Sequence, residues 1–355
     1  MQMTLRWFGP GIDTVSLWQI RQIPGVSGVV STLYDMAPGA LWPRERITAL
    51  REEAEAAGLA LLGIESVNIH DDIKTGAAGR DKYIENYIAT LKELGEQNVH
   101  VICYNFMPVF DWTRSDLQKP REDGATVLAY DQAVIDAINP GKIFEQMQSG
   151  SNGFLLPGWE PERLARIQDL FKAYEGIDED KLFDNLVYFL KAIGPVCEKY
   201  DIRMAIHPDD PPWPVFGLPR IMTGLEGFER LLAAVDKPYN GLTLCTGSLG
   251  ANPQTDIPAV IRKVGKRVHF AHTRNLRHTG PGQFEESAHL SRDGSLDMYE
   301  ILKAFHDAGF EGLMRPDHGR AIWGEKSMPG YGLYDRALGA SYLLGLWEAI
   351  EKSGK

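Results

Sequence analysis

The chain has 355 residues, 44% hydrophobic and 24% charged, with 37 basic and 48 acidic side chains for a formal net charge of −11. That composition belongs to an ordinary globular protein and argues against both a disordered chain and a membrane protein. The acidic balance also argues against a nucleic-acid surface, which carries a basic excess, so an anionic ligand must be drawn in by local cations.

Strand-like and helix-like patterns alternate along the chain. Leu5–Phe8, Gly28–Leu33, Ala60–Glu65 and His100–Tyr104 read as strands 1 to 4, short and rich in β-branched, apolar or aromatic residues. Helical patterns over Pro43–Ala57 and Arg80–Leu94 separate them, with Pro43 at a helix start and Gly58, Gly95 and later Gly309 just past helix ends. From Met107 to Ile177 the rhythm breaks into a segment containing Trp, Pro and Gly, with a helical stretch inside it at Pro161–Tyr174. It is far longer than a usual βα loop of about two to six residues and reads as a lid or subunit contact inserted after strand 4. The alternation then resumes, with helices over Asp180–Lys199, Leu225–Val235, Ile257–Lys263, Ser295–Ala308 and Asp335–Glu351 and strands 5 to 8 between them. Eight such pairs predict one (β/α)8 barrel domain spanning residues 1–355, with the insertion at 107–177.

The last four strands, Arg203–His207, Gly241–Cys245, Val268–His272 and Gly312–Asp317, each end on a metal-ligand side chain. In a barrel the carboxyl ends of the strands share one rim, so His207, Cys245, His272 and Asp317 would meet there as a divalent-metal site. A single such histidine reads most simply as a hydrogen-bonded structural residue. Three companions at equivalent positions favour a site. His269, three residues before His272, falls on the opposite face of its strand and belongs with the helical layer. The other two cysteines, Cys103 and Cys197, have no companions in sequence and read as core residues. Three cysteines without framework spacing, and no charged n-region before an apolar run at the start, indicate a reducing, cytoplasmic setting.

Asp317 opens onto His318, which is left free for acid–base work beside a metal. Downstream, Gly330-Tyr-Gly-Leu-Tyr-Asp-Arg336 offers Tyr331 and Tyr334; the glycines flanking Tyr331 allow it close to a ligand. Arg6, Arg274, Arg315 and Arg320 are candidate grips for a carboxylate. Glu65 reads equally as a site residue or a structural ion-pair partner.

These motifs resemble the mannonate dehydratases. The likeness runs through Met3–Gly9, Tyr104–Arg114, His207–Trp213, Leu244–Gly250, Phe270–Asn275, Arg315–Arg320 and Gly330–Gly339. The resemblance implies a xylose-isomerase-like TIM barrel that dehydrates D-mannonate to 2-keto-3-deoxy-D-gluconate in hexuronate breakdown. It implies Mn2+, with Fe2+ or another divalent ion as alternative, on His207, Cys245, His272 and Asp317. Catalytic roles then fall to His318 and to a tyrosine, with Tyr331 preferred over Tyr334. A homodimer acting on a small sugar acid, without nucleic acid or membrane, is the expected assembly. A thiolate with two imidazoles ordinarily favours Zn2+ or Fe2+ over Mn2+, which sets the donor set against the implied metal. Another metal-dependent sugar isomerase or epimerase and a non-catalytic sugar-acid-binding barrel are the alternatives.

Overall fold

The computed structural model describes residues 1–138, 151, 153 and 166–353. Its first strands are β1 (Gln2–Arg6), β2 (Val26–Ser31), β3 (Ala60–Glu65), β4 (Val101–Tyr104), β5 (Asp116–Pro120) and β6 (Thr126–Asp131). The remainder are β7 (Arg203–Ile206), β8 (Asn240–Cys245), β9 (Val268–His272), β10 (Leu276–Gly280), β11 (Gln283–Glu286) and β12 (Leu313–Arg315). Eight of them close into a barrel in the order β1-β12-β9-β8-β7-β4-β3-β2, with every neighbouring pair parallel. Helices cover the outside, so these strands are buried on both faces and read as near-continuous apolar runs.

The barrel interior explains how the rim is furnished. Val30, Cys103, Ala205, Phe270 and Leu313 form one buried cluster. Side chains two residues apart on a strand share a face. Stepping forward by two therefore leads from Ala205 to His207, from Phe270 to His272, and from Leu313 through Arg315 to Asp317. Register brings these ends level, with Cys245 opposite His272 and His272 opposite Arg315. Glu65 stands opposite Cys103 on the far side. Pro316 has no N–H to donate and follows β12 directly, so Asp317 and His318 lie on the loop beyond it.

Several expectations shift. The helix after β3 runs over Arg80–Glu96, so Gly95 lies inside it. Gly95 is required there by packing, since a Cβ would sit 2.6 Å from the Tyr200 Cβ, and the residue with positive φ beyond the helix is Asn98. A short helix, Leu17–Arg21, held by a Ser16–Gln19 capping box, follows β1, where sequence periodicity is too brief to show it.

The larger departure is a second sheet, four antiparallel strands in the order β10-β11-β6-β5. The segment after β4 supplies β5, β6 and a helix at Gln132–Ala137, and the segment after β9 supplies β10 and β11. The two insertions pair with each other through β6 and β11. Of the helical stretch expected at 161–174, residues 161–165 lie outside the described residues; a helix is present at Ile167–Ala173. No helix among the described residues is long and apolar enough to cross a membrane.

Candidate active site

His207, Cys245 and His272 offer ligand atoms that all lie within 4.8 Å of one another. Asp317 Oδ2 joins them, 3.7 Å from Cys245 Sγ and 3.9 Å from His272 Nδ1. The Nδ1 of His207 is 2.6 Å from the Pro208 carbonyl. A carbonyl only accepts, which assigns the ring proton to Nδ1 and turns Nε2 outward as a lone-pair donor. Cys245 Sγ accepts from the Ser248 hydroxyl at 3.1 Å and from its N–H at 3.5 Å. Burial opposes charge on this thiol, but Arg274 and hydrogen bonds with His207 and His272 outweigh it and hold the pKa well below its ordinary value. Burial likewise opposes charge on His207, yet Cys245, Glu65 and Asp317 raise its pKa to about 9. Both shifts arise from the close approach of the same donor groups, whose protons a divalent ion would displace.

A second group within 4.8 Å consists of Glu65, Cys103 and His272, so Cys103 is not the isolated core residue its sequence setting suggests. The two thiols differ in ionisation. Burial and Glu65 push Cys103 well up, keeping it a neutral thiol, whereas Cys245 is poised as thiolate. Only the thiolate is a good ligand, so the set around Cys245 fits a divalent ion better. The ring of buried His272 lies between the two groups, with Nδ1 3.9 Å from Asp317 Oδ2 and Nε2 3.5 Å from Glu65 Oε2.

The pocket beside these groups is lined by Arg6, Glu65, Trp112, His207, Asp317, His318 and Tyr331, among others. His318 Nε2 is 2.9 Å from the Tyr331 hydroxyl, and the indole of Trp112 packs edge-on against the imidazole at 5.8 Å. Burial and the nearby Asp317 carboxylate raise the Tyr331 pKa, so the phenol stays protonated. Tyr334, 40% exposed and packed on Trp323, does not line this pocket. Of the two tyrosines only Tyr331 is brought to His318.

The four arginines divide. Arg6 bonds Glu65 Oε1 at 2.5 Å, and Arg315 bonds the same oxygen at 3.0 Å and Asp317 Oδ1 at 2.7 Å. Both line the pocket, and Arg315 Nη1 is buried without a hydrogen-bond partner among the described residues. Glu65 is thus an ion-pair partner within the site. Burial opposes its charge, but Arg315, Arg6 and His272 hold its carboxyl well below the usual range. Arg274 is fully buried beneath the pocket, bonded to Asp210 at 2.7 Å and to Glu286. Arg320 points elsewhere, to Asp335 at 2.8 Å and Asp123 at 3.2 Å.

Sequence reading passed over Asp210, Arg114 and Glu286. Arg114 forks onto Asp210 at 2.7 and 3.0 Å and reaches Glu286 at 3.0 Å. Asp210 and Arg114 lie inside the motifs His207–Trp213 and Tyr104–Arg114, where a charge among apolar and proline residues was an available signal. Glu286 lies on β11, a strand visible only through its pairing.

A family model described as D-mannonate dehydratase (UxuA) matches residues 1–355. A mannonate dehydratase of Brachyspira hyodysenteriae is 65% identical over 355 residues, covering 100% of both chains. One from Thermotoga maritima is 57% identical over 357 residues, covering 100% of this chain and 99% of its own. The crystal structure of mannonate dehydratase from Streptococcus suis serotype 2 superposes with a TM-score of 0.90 at 43% identity, covering 100% of this chain and 96% of that one. A xylose isomerase domain protein from Planctomyces limnophilus, 13% identical with a TM-score of 0.57 and 99% of each chain covered, shares the fold. The match from first residue to last, with relatives of this identity, places the chain in the D-mannonate dehydratase family.

Proposed function

We propose that the chain removes water from D-mannonate to give 2-keto-3-deoxy-D-gluconate, in hexuronate breakdown, as a metal-dependent hydro-lyase. The observation that carries this reading is the buried His318–Tyr331 hydrogen bond of 2.9 Å, opening onto the pocket that also exposes His207 and Asp317. His207, Cys245, His272 and Asp317 would hold the ion. When bound, a divalent ion supplies Lewis-acid stabilisation and a template for the substrate carboxylate and an adjacent hydroxyl.

The elimination removes a weakly acidic proton from the carbon beside the carboxylate and a hydroxyl from the next carbon. His318 Nε2 takes the proton, and the electron pair it leaves spreads into the carboxylate as an enediolate. Arg315 and Arg6 stabilise that charge. The neutral Tyr331 phenol protonates the departing hydroxyl, which leaves as water, and the enol relaxes to the 2-keto acid. The hydrogen bond between phenol and imidazole returns the pair to its starting protonation. Arg315 Nη1, without a hydrogen-bond partner among the described residues, suits the substrate carboxylate.

Mn2+ is the proposed occupant, against the softer preference of a thiolate site. The insertion at 107–177, of which residues 139–150, 152 and 154–165 lie outside the described residues, is proposed as a lid or subunit contact, since its residues Met107, Asp111 and Trp112 line the pocket. A homodimer is supported by Trp323, Tyr334 and Leu338, which expose 73%, 40% and 45% of their surface. A cytoplasmic setting suits three free cysteines. Assay of D-mannonate and D-gluconate, with and without chelator and with single metals restored, tests the reading. A 2-keto-3-deoxy acid formed only with metal supports it. A product of unchanged formula would mean isomerisation, and a rate indifferent to chelation would sink the metal's role.

A further inference from the structure

We infer that Glu286 is the positioning residue of the proton-transfer pair, its carboxylate keeping the His318 proton on Nδ1 so that the basic Nε2 faces Tyr331 and the pocket. This rests on the reading of His318 as the group that moves the substrate proton.

Glu286 Oε1 lies 3.4 Å from His318 Nδ1, while the opposite nitrogen of the same ring is 2.9 Å from the Tyr331 hydroxyl. All three side chains are buried. An ionised carboxylate accepts and never donates, so the proton between it and the ring belongs to Nδ1. The Nε2 lone pair is then available, and the phenol is left to donate to it. Without the carboxylate the imidazole is free to take the other tautomer, in which Nε2 carries the proton and cannot act as base.

Glu286 itself is firmly held. Arg114 Nη2 donates to Oε1 at 3.0 Å, and Arg274 Nη1 donates to the same atom. The second oxygen, Oε2, is buried with no hydrogen-bond partner among the described residues, which leaves acceptor capacity facing the interior. Asp210 binds both guanidiniums, at 2.7 Å from Arg114 and 2.7 Å from Arg274, and Arg274 Nε also lies 3.0 Å from Asp317 Oδ2. The effect of Glu286 on His318 is a choice of tautomer and ring orientation.

The placement also gives the second sheet a purpose. Glu286 ends β11, which pairs with β6 so that Glu285 stands opposite Ala129. Two insertions made far apart in the chain thus build the support for a group on a third loop.

The test is E286Q, made alone and on an H318N background, in the metal-loaded enzyme with D-mannonate. The amide keeps the shape and an acceptor for the arginines but also brings N–H donors that can satisfy the wrong tautomer. We expect kcat to fall about 10²-fold or more, as when an imidazole loses its orienting carboxylate, with KM within about twofold. On the H318N background the same change should cost nothing further, because its only route to the chemistry is gone. Wild-type kcat in E286Q, a raised KM with kcat intact, or an additional loss in the double variant each overturns the inference. Should E286Q fail to fold, E286D keeps the charge for Arg114 and Arg274 while withdrawing the oxygen from His318, and carries the same expectations. Near wild-type turnover in H318N alone would instead overturn the reading of His318 on which the inference depends.

Discussion

The imidazole of His318 and the hydroxyl of Tyr331 are hydrogen-bonded at 2.9 Å across thirteen residues of chain. The pair is buried against Phe8, whose ring meets that of Tyr331 edge-on at 4.7 Å. A phenol hydrogen-bonded to a buried imidazole can pass a proton as one unit rather than as two independent groups.

Replacing Tyr331 by Phe removes the hydroxyl and leaves the ring packing. Turnover of D-mannonate should fall by about 10² to 10⁴-fold, the usual worth of a positioned acid or base. Bound metal per chain, measured by mass spectrometry of the purified protein, should not change. The parallel change Tyr334→Phe should leave turnover within about twofold of wild type, because that side chain lies outside the pocket.

Cys245 is the soft member of the proposed ligand set, which otherwise offers two imidazoles and a carboxylate. Cys245→Ser should weaken retention of metal through dialysis by about tenfold or more and weaken Zn2+ more than Mn2+, since the thiolate is what favours the softer ion. Competition between the two metals for the wild-type and variant proteins would show it. Equal losses for both would mean that the thiol is not a ligand.

Arg320 and Arg315 should separate stability from catalysis. Arg320→Ala strips Oδ1 of Asp335, which is nearly fully buried, of the guanidinium that donates to it through Nε and Nη2. It should lower stability by about 1–3 kcal/mol while leaving kcat near wild type. Arg315→Ala opens the pocket wall beside Asp317 and should lower kcat/KM strongly. Denaturant unfolding beside steady-state assays distinguishes the two.

The pH dependence of stability follows from Glu286. Burial opposes its charge, but Arg274, the hydrogen bond to His318 and Arg114 lower its pKa from 4.5 to about 2. Between those values the unfolded chain binds the proton that the folded one refuses, so stability there rises with pH. The contribution is complete above about pH 5 and is lost as pH falls toward about 2. Thermal midpoints of wild type and E286Q should therefore converge as the pH drops through that range. A constant gap would contradict the ionised, ion-paired carboxylate.

The sequence by itself settled the eight barrel strands, because each is a short apolar run between helical patterns; Ala60–Glu65 and Val268–His272 were legible to the residue. It also placed His207, Cys245, His272 and Asp317 on one rim, since the carboxyl ends of parallel strands have nowhere else to go. Tertiary structure decided what one-dimensional order does not carry. Arg320 and Arg315 look alike in Arg315-Pro-Asp-His-Gly-Arg320, yet one faces the pocket and the other leaves it for Asp335. Cys103 gained Glu65 from the neighbouring strand and His272 from across the barrel. Glu286 became visible only when β11 found β6, since a four-residue strand with no clean alternation gains its identity from its partner. Local pattern encodes which way a strand's side chains point; which distant charges meet is set by how the insertions fold over the rim.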